Sequence, residues 1–174
     1  MKFLKFSALL IPFLFLVACS MESSQNLPTT SSSAILLTSE EEVLKKNYQP
    51  GDLAKAAYSS DLEKVKAYLK IGINVNERDK PGGTALHAAM FQKNMEIITL
   101  LLQHKADINI QGLSNHFTPL HDAVWANNLP AAEILLKAGA DRSIKNNKGQ
   151  TPLEKAKIEG RSEMIQLLEA SKKN

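Results

Sequence analysis

His87 and His121 lie 34 residues apart, each closing the same short phrase: Thr84-Ala85-Leu86-His87 and Thr118-Pro119-Leu120-His121. Imidazoles bind metals and move protons. A closed metal site needs further nitrogen, sulfur or carboxylate donors, and none stands at ligand spacing from this pair. Cys19 is the only cysteine, so there is no internal disulfide and no zinc knuckle. Gly-x-Ser-x-Gly, His-Glu-x-x-His and a phosphate-cradling glycine loop are all absent. The chain is therefore expected to have no catalytic residues, no metal and no cofactor. Its other polar clusters read as surface. Glu40-Glu41-Glu42 fits a helix N-terminus, where acids suit the dipole. Lys145, Lys148, Lys155 and Lys157 fit a solvated face, the alternative being a contact with phosphate or an acidic partner. His104 and His116 are expected at the surface, with His116 placed to touch a partner.

The elements that carry the two histidines recur. Thr151-Pro152-Leu153-Glu154 follows Thr118 by 33 residues, and Gly51-Asp52-Leu53-Ala54 precedes Thr84 by 33. A fixed period in this range marks a stacked repeat array. Each unit reads as two helices and a tip. Thr84, Thr118 and Thr151 are expected N-caps, with Pro119 and Pro152 at the first helical position. The first helices are short and Ala-rich. Asp61, Asn94 and Asn128 precede the second helices as caps. The second helices carry apolar stripes: Val65, Tyr68 and Leu69; Ile98, Leu101 and Leu102; Ile134, Leu135 and Leu136; Ile165, Leu167 and Leu168. Gly72 and Gly139 supply left-handed C-caps, whereas Lys105 at the same place predicts strain or a different cap. Upstream, Ser39 with Glu42 fits a capping box and predicts a short helix from Glu40.

These phrases resemble the ankyrin repeat, with its Thr-Pro-Leu-His, its later Leu-Leu pair and its Gly-Ala-Asp. Gly139-Ala140-Asp141 matches the last directly, and Lys105-Ala106-Asp107 and Gly72-Ile73-Asn74 match in part. The aromatic and glycine pattern of the TPR is absent. The resemblance implies an all-α solenoid of four helix-turn-helix repeats with short hairpin-like tips, at about 51–80, 81–114, 115–147 and 148–174, with a capping helix at 40–48 before a repeat domain over 49–174. The outer copies are the most divergent, as terminal repeats that face water should be. The extra residue between the second and third copies is expected in the tip at 112–117. The motif residues Thr84, Leu86, His87, Thr118, Pro119, Leu120, His121, Thr151, Pro152 and Leu153 are implied to be structural, with the histidines tying neighbouring repeats. The residues after each Ala-rich helix core are implied to project onto a concave face: Tyr58, then Phe91 with Gln92, Trp125 with Ala126, and Ile158. Their stacking would make an aromatic ladder suited to binding a protein. The alternative packs some rings inward, Tyr58 and Phe91 first. Tip residues Arg78, Lys80, Gln111, Leu113, Lys145 and Asn147 would form the opposite edge of the groove.

The N-terminus reads as an address. Lys2 and Lys5 precede an apolar run from Phe6 to Val17, and Ala18 stands before Cys19. Leu16-Val17-Ala18-Cys19 resembles the lipobox of bacterial lipoproteins. The resemblance implies a signal peptide over 1–18, lipidation of Cys19 and, with Ser20 next, an outer-membrane position facing the periplasm. An ordinary secretory leader or an uncleaved helix is the alternative. Acyl chains contribute about 0.8 kcal/mol per buried CH2, so two or three hold a protein on a bilayer. Residues 19–39 are rich in Ser and Thr and read as a tether, with Ala34-Ile35-Leu36-Leu37 as a patch that docks on the array. The formal charge of +3 falls to about +1 without the leader lysines, which excludes the basic footprint of a nucleic-acid binder. The expected partners are a protein and, through Cys19, a membrane, with no nucleic acid and no small-molecule substrate. The expected function is a membrane-tethered protein-binding module. Alternatives are an immunity protein or inhibitor of a toxic envelope enzyme, an envelope adaptor, and a secreted effector acting on a host protein.

Overall fold

The computed structural model describes residues 38–170 of the 174-residue chain. The leader, Cys19, the tether up to residue 37 and the Ala34–Leu37 patch lie outside the described residues. Nine helices and no strand occur among the described residues: α1 (Ser39–Asn47), α2 (Asp52–Tyr58), α3 (Leu62–Lys70), α4 (Ala85–Ala89), α5 (Met95–Gln103), α6 (Pro119–Trp125), α7 (Leu129–Lys137), α8 (Pro152–Ile158) and α9 (Ser162–Ala170). None of these is long and apolar enough to cross a membrane. From α2 onward they pair into four units. The short first helices α2, α4, α6 and α8 pack in one layer, and the longer second helices α3, α5, α7 and α9 in another. The fold is an all-α solenoid.

Local chemistry sets the helix starts. The Thr118 and Thr151 hydroxyls accept from the backbone N–H three residues on, at 3.4 and 3.3 Å, and Pro119 and Pro152 open their helices. Asp61, Asn94 and Asn128 cap α3, α5 and α7 through their side-chain oxygens. Asn128 does more: its amide donates to Met90 O at 2.9 Å and Gln92 O at 2.7 Å, fastening one unit to the preceding one.

The helix ends follow one geometry regardless of residue. The N–H of Ala106 reaches Leu101 O at 3.0 Å, as that of Ala140 reaches Leu135 O at 2.9 Å. Gly139 sits between the latter pair at φ 91° and Lys105 between the former at φ 66°. The lysine thus makes the same left-handed cap as glycine and carries the strain of a Cβ there.

The core runs the length of the stack. Leu86, Ile98, Leu101, Leu120, Leu135 and Leu168 are fully buried, and the Ala-rich faces of the first helices let the layers close. The stripes differ from expectation in part. Ile97, Ala131, Ala132 and Met164 are buried, while Leu102, Ile134, Leu136, Ile165 and Leu167 are half-buried. A nine-residue helix wedged between two neighbours buries its first turn as well as its middle, which a stripe of large residues alone does not capture.

The start of α1 needs correction. Thr38, not Ser39, is the N-cap, and Glu41, not Glu42, closes the capping box by accepting from the Thr38 N–H at 2.8 Å. The shift lets Glu41 pair with Lys70 of α3 at 2.6 Å. Tyr48, just past α1, meets Tyr68 edge-on at 5.0 Å and donates its hydroxyl to Glu77 at 2.8 Å. So α1 and its cap cover the open end of the first unit.

Candidate functional site

The motif histidines hold adjacent units together. His87 Nδ1 accepts from the Thr84 N–H at 3.2 Å, and its Nε2 meets Phe117 O, in the next unit, at 3.1 Å. His121 repeats this with the Thr118 N–H at 3.3 Å and Gln150 O at 3.0 Å. A carbonyl only accepts, so these partners assign both rings as neutral with the proton on Nε2. Burial pushes both below the ordinary histidine pKa, against the opposing pull of the carbonyls. Glu154 keeps only half of the role. Its carboxylate accepts from the Thr151 N–H at 2.7 Å, and among the described residues it makes no tie to a neighbouring unit. Among the described residues no cluster of three or more His, Cys, Asp or Glu could hold a metal.

The tips are hairpin-like turns closed by Asp79 N–H to Gly83 O at 2.9 Å, Gly112 N–H to Phe117 O at 2.8 Å and Asn146 N–H to Gln150 O at 2.9 Å. The middle tip holds the insertion at 112–117, with His116 at φ 56° and exposed. Two of the residues expected on the groove edge join the tips to each other. Arg78 Nη1 donates to Gly82 O at 2.6 Å and Gln111 O at 2.9 Å. Gln111 Nε2 donates to His116 O at 2.8 Å and Lys145 O at 3.0 Å. Leu113 is exposed yet presses on Gly82, where an added Cβ would fall 2.6 Å from the leucine Cβ. Lys80 and Lys145 are exposed, and Asn147 spends its backbone N–H on Asn115 O at 3.1 Å. Lys155 departs from the expected solvated face: it is largely buried, pairs with Glu159 and lies over the Phe117 ring at 5.4 Å. Lys157 pairs with Glu169 at 3.0 Å, and Lys145 and Lys148 face solvent.

Tyr58, Phe91, Trp125 and Ile158 are exposed to 58, 36, 52 and 67%, which places their side chains outside the core. The rings touch in sequence. Tyr58 and Phe91 centroids are 6.5 Å apart, and Phe91 meets Trp125 edge-on at 5.4 Å with planes at 87°. Edge-to-face contact is favourable for aromatic quadrupoles. Gln92 and Ala126 beside them are half-buried, and Gln92 gives its carbonyl to Asn128. Between this row and the tips lies a cleft of about 380 Å³, walled by Tyr58, Phe91 and Trp125 on one side and by Pro81, Gly83 and Ser114 on the other.

The cleft contains a residue that sequence reasoning missed. Asp122, on α6 one turn before Trp125, is only 6% exposed and lines the cleft. Its carboxylate takes no hydrogen bond or ion pair among the described residues, and burial pushes its pKa up to about 7. The signal was an acid in a helix whose other residues, His121 apart, are apolar.

Comparison with known proteins fits this architecture. Residues 53–146 match a family model described as ankyrin repeats in three copies. A putative ankyrin repeat protein of Rickettsia bellii is 35% identical over 67% of this chain and 65% of its own length. One from Rickettsia felis is 35% identical over 58% of this chain and 44% of its own. Ankyrin repeat and SOCS box protein 11 of Danio rerio is 37% identical over 59% of this chain and 34% of its own. The chain thus spans less than two thirds of each of these relatives.

Proposed function

The chain belongs to the ankyrin-repeat family, a family of protein-interaction modules, and on that premise we propose that it binds a protein partner in the groove between its first helices and its tips while anchored to a bacterial envelope through Cys19. The observation that carries the binding reading is the row Tyr58, Phe91 and Trp125, continued by Ile158. Large rings left in water and stacked on one another cost solvation and return little to the fold. They are the residue types that dominate interface energies once covered. The scaffold beneath them is preformed, since caps, histidine ties and tip hydrogen bonds fix the backbone on both sides of the groove. Little ordering cost then attends binding.

The tether follows from the leader and from Leu16-Val17-Ala18-Cys19. Acylation there would confine the groove to a thin layer at the membrane, raising its effective concentration toward envelope partners. Cys19→Ser should abolish incorporation of labelled palmitate into the protein, and undiminished incorporation would sink the anchor.

The binding reading is tested by affinity capture from the native envelope with the full chain, beside a Phe91→Ala, Trp125→Ala double variant. Loss of a stoichiometric partner from the variant is the expected result. Equal capture by both proteins refutes the groove as the contact surface. An enzyme inactivated in the complex would identify the partner class as a toxic envelope enzyme and the chain as its inhibitor.

A further inference from the structure

We propose that the groove carries a subsite for one basic side chain of the partner, with the charged head of a Lys or Arg on the Asp122 carboxylate and its apolar stem against Phe91 and Trp125. This rests on the protein-binding reading above and adds a chemical class to it. Asp122 is 94% buried, lines the cleft, and has no donor of its own among the described residues. A carboxylate largely withdrawn from water with no donor among the described residues is a costly arrangement, and acids perturbed in this way cluster at functional sites. Burial in the cleft wall raises the carboxyl pKa accordingly.

The surroundings suit a cation in three ways. A second carboxylate, Asp79, lines the cleft while holding the Gly83 N–H at 2.7 Å. The cleft's own lysine, Lys55, is 77% exposed and turned to Asp52 at 2.9 Å, so it does not neutralise Asp122. Tyr58, Phe91 and Trp125 line the same space, and aromatic rings attract ammonium and guanidinium groups, more strongly once water is excluded. Charge complementarity thus selects a basic segment over an acidic or purely apolar one. A cleft of about 380 Å³ admits one long side chain with neighbouring backbone.

The test has two arms. In the first, the full chain, 15N-labelled at tryptophan, is titrated in detergent with n-butylammonium and n-propylguanidinium, with n-butanol and butyrate as controls. The expected result is a saturable shift of the Trp125 indole N–H with the two cations. Asp122→Asn should weaken it at least tenfold while leaving the unliganded spectrum and the far-UV circular dichroism intact. An equal response to butanol, or an unchanged cation affinity in Asp122→Asn, overturns the subsite. In the second arm, Asp122→Asn enters the capture experiment beside the ring double variant. Full capture by Asp122→Asn with loss in the ring variant removes the cation subsite and leaves the protein-binding reading standing. Full capture by the ring variant removes that reading itself.

Discussion

At the scale of single residues, two sets of groups inside the molecule answer pH in opposite directions. His87 and His121 are buried neutral, with pKa values pushed down. Their contribution to stability is whole above the ordinary histidine pKa of about 6.5 and is lost as pH falls below it toward the folded-state values. Asp122 works the other way. Its folded pKa of about 7 lies above its ordinary 3.8, so the cost of its charge is full above pH 7 and vanishes as pH falls toward 3.8. A shift of this size corresponds to an upper bound of about 4 kcal/mol. Thermal melts should therefore find Asp122→Asn more stable than the parent at pH 8, with the difference gone near pH 4. A variant no more stable at pH 8 would mean that the carboxylate is solvated. A stabilising substitution at an acid that lines a groove is the trade expected where function holds a residue against the interest of the fold.

At the scale of elements, identical hydrogen-bonding frames are filled by unequal residues. Lys105 holds the left-handed C-cap of α5 that Gly72 and Gly139 hold for α3 and α7. Lys105→Gly should raise stability by about 1 kcal/mol, from relief of the Cβ contact less the entropy of a freer unfolded chain. Urea denaturation checks this, and a fall in midpoint would place the strain elsewhere. The same element shows what sequence alone made legible. The repeat period, the Thr and Asx caps and the left-handed lysine follow from short-range chemistry, and each was readable from a few adjacent residues. Three features depended on distant groups. The α1 cap moved one residue because Glu41 is claimed by both Thr38 and Lys70. Asp122 stayed unremarked because its meaning lies in what it lacks: only three-dimensional packing shows that no donor arrives from the described residues. Arg78 and Gln111 read as tip residues from the sequence, but their bridging of one tip to the next was hidden for a related reason, since carbonyls some 33 residues away line up only after the units stack.

At the scale of the whole molecule, the described array separates the surface that recognises from the core that holds. Leu120 is fully buried, so Leu120→Ala should cost roughly 2–5 kcal/mol. Trp125 and Phe91 stand at 52 and 36% exposure, and removing both should cost about 1–2 kcal/mol, mostly from their mutual contact and partial burial. Calorimetry of the two variants separates these cases, and a ring variant as unstable as Leu120→Ala would make the ladder part of the core. The separation has an optical consequence. Trp125 is the chain's only tryptophan, and it is half in water before anything binds. Its emission should therefore change little when the protein melts, because the indole is wet in both states. It should move to the blue when the groove is filled and dried. The intrinsic fluorescence of this protein is then a gauge of occupancy, largely blind to folding, and needs no label.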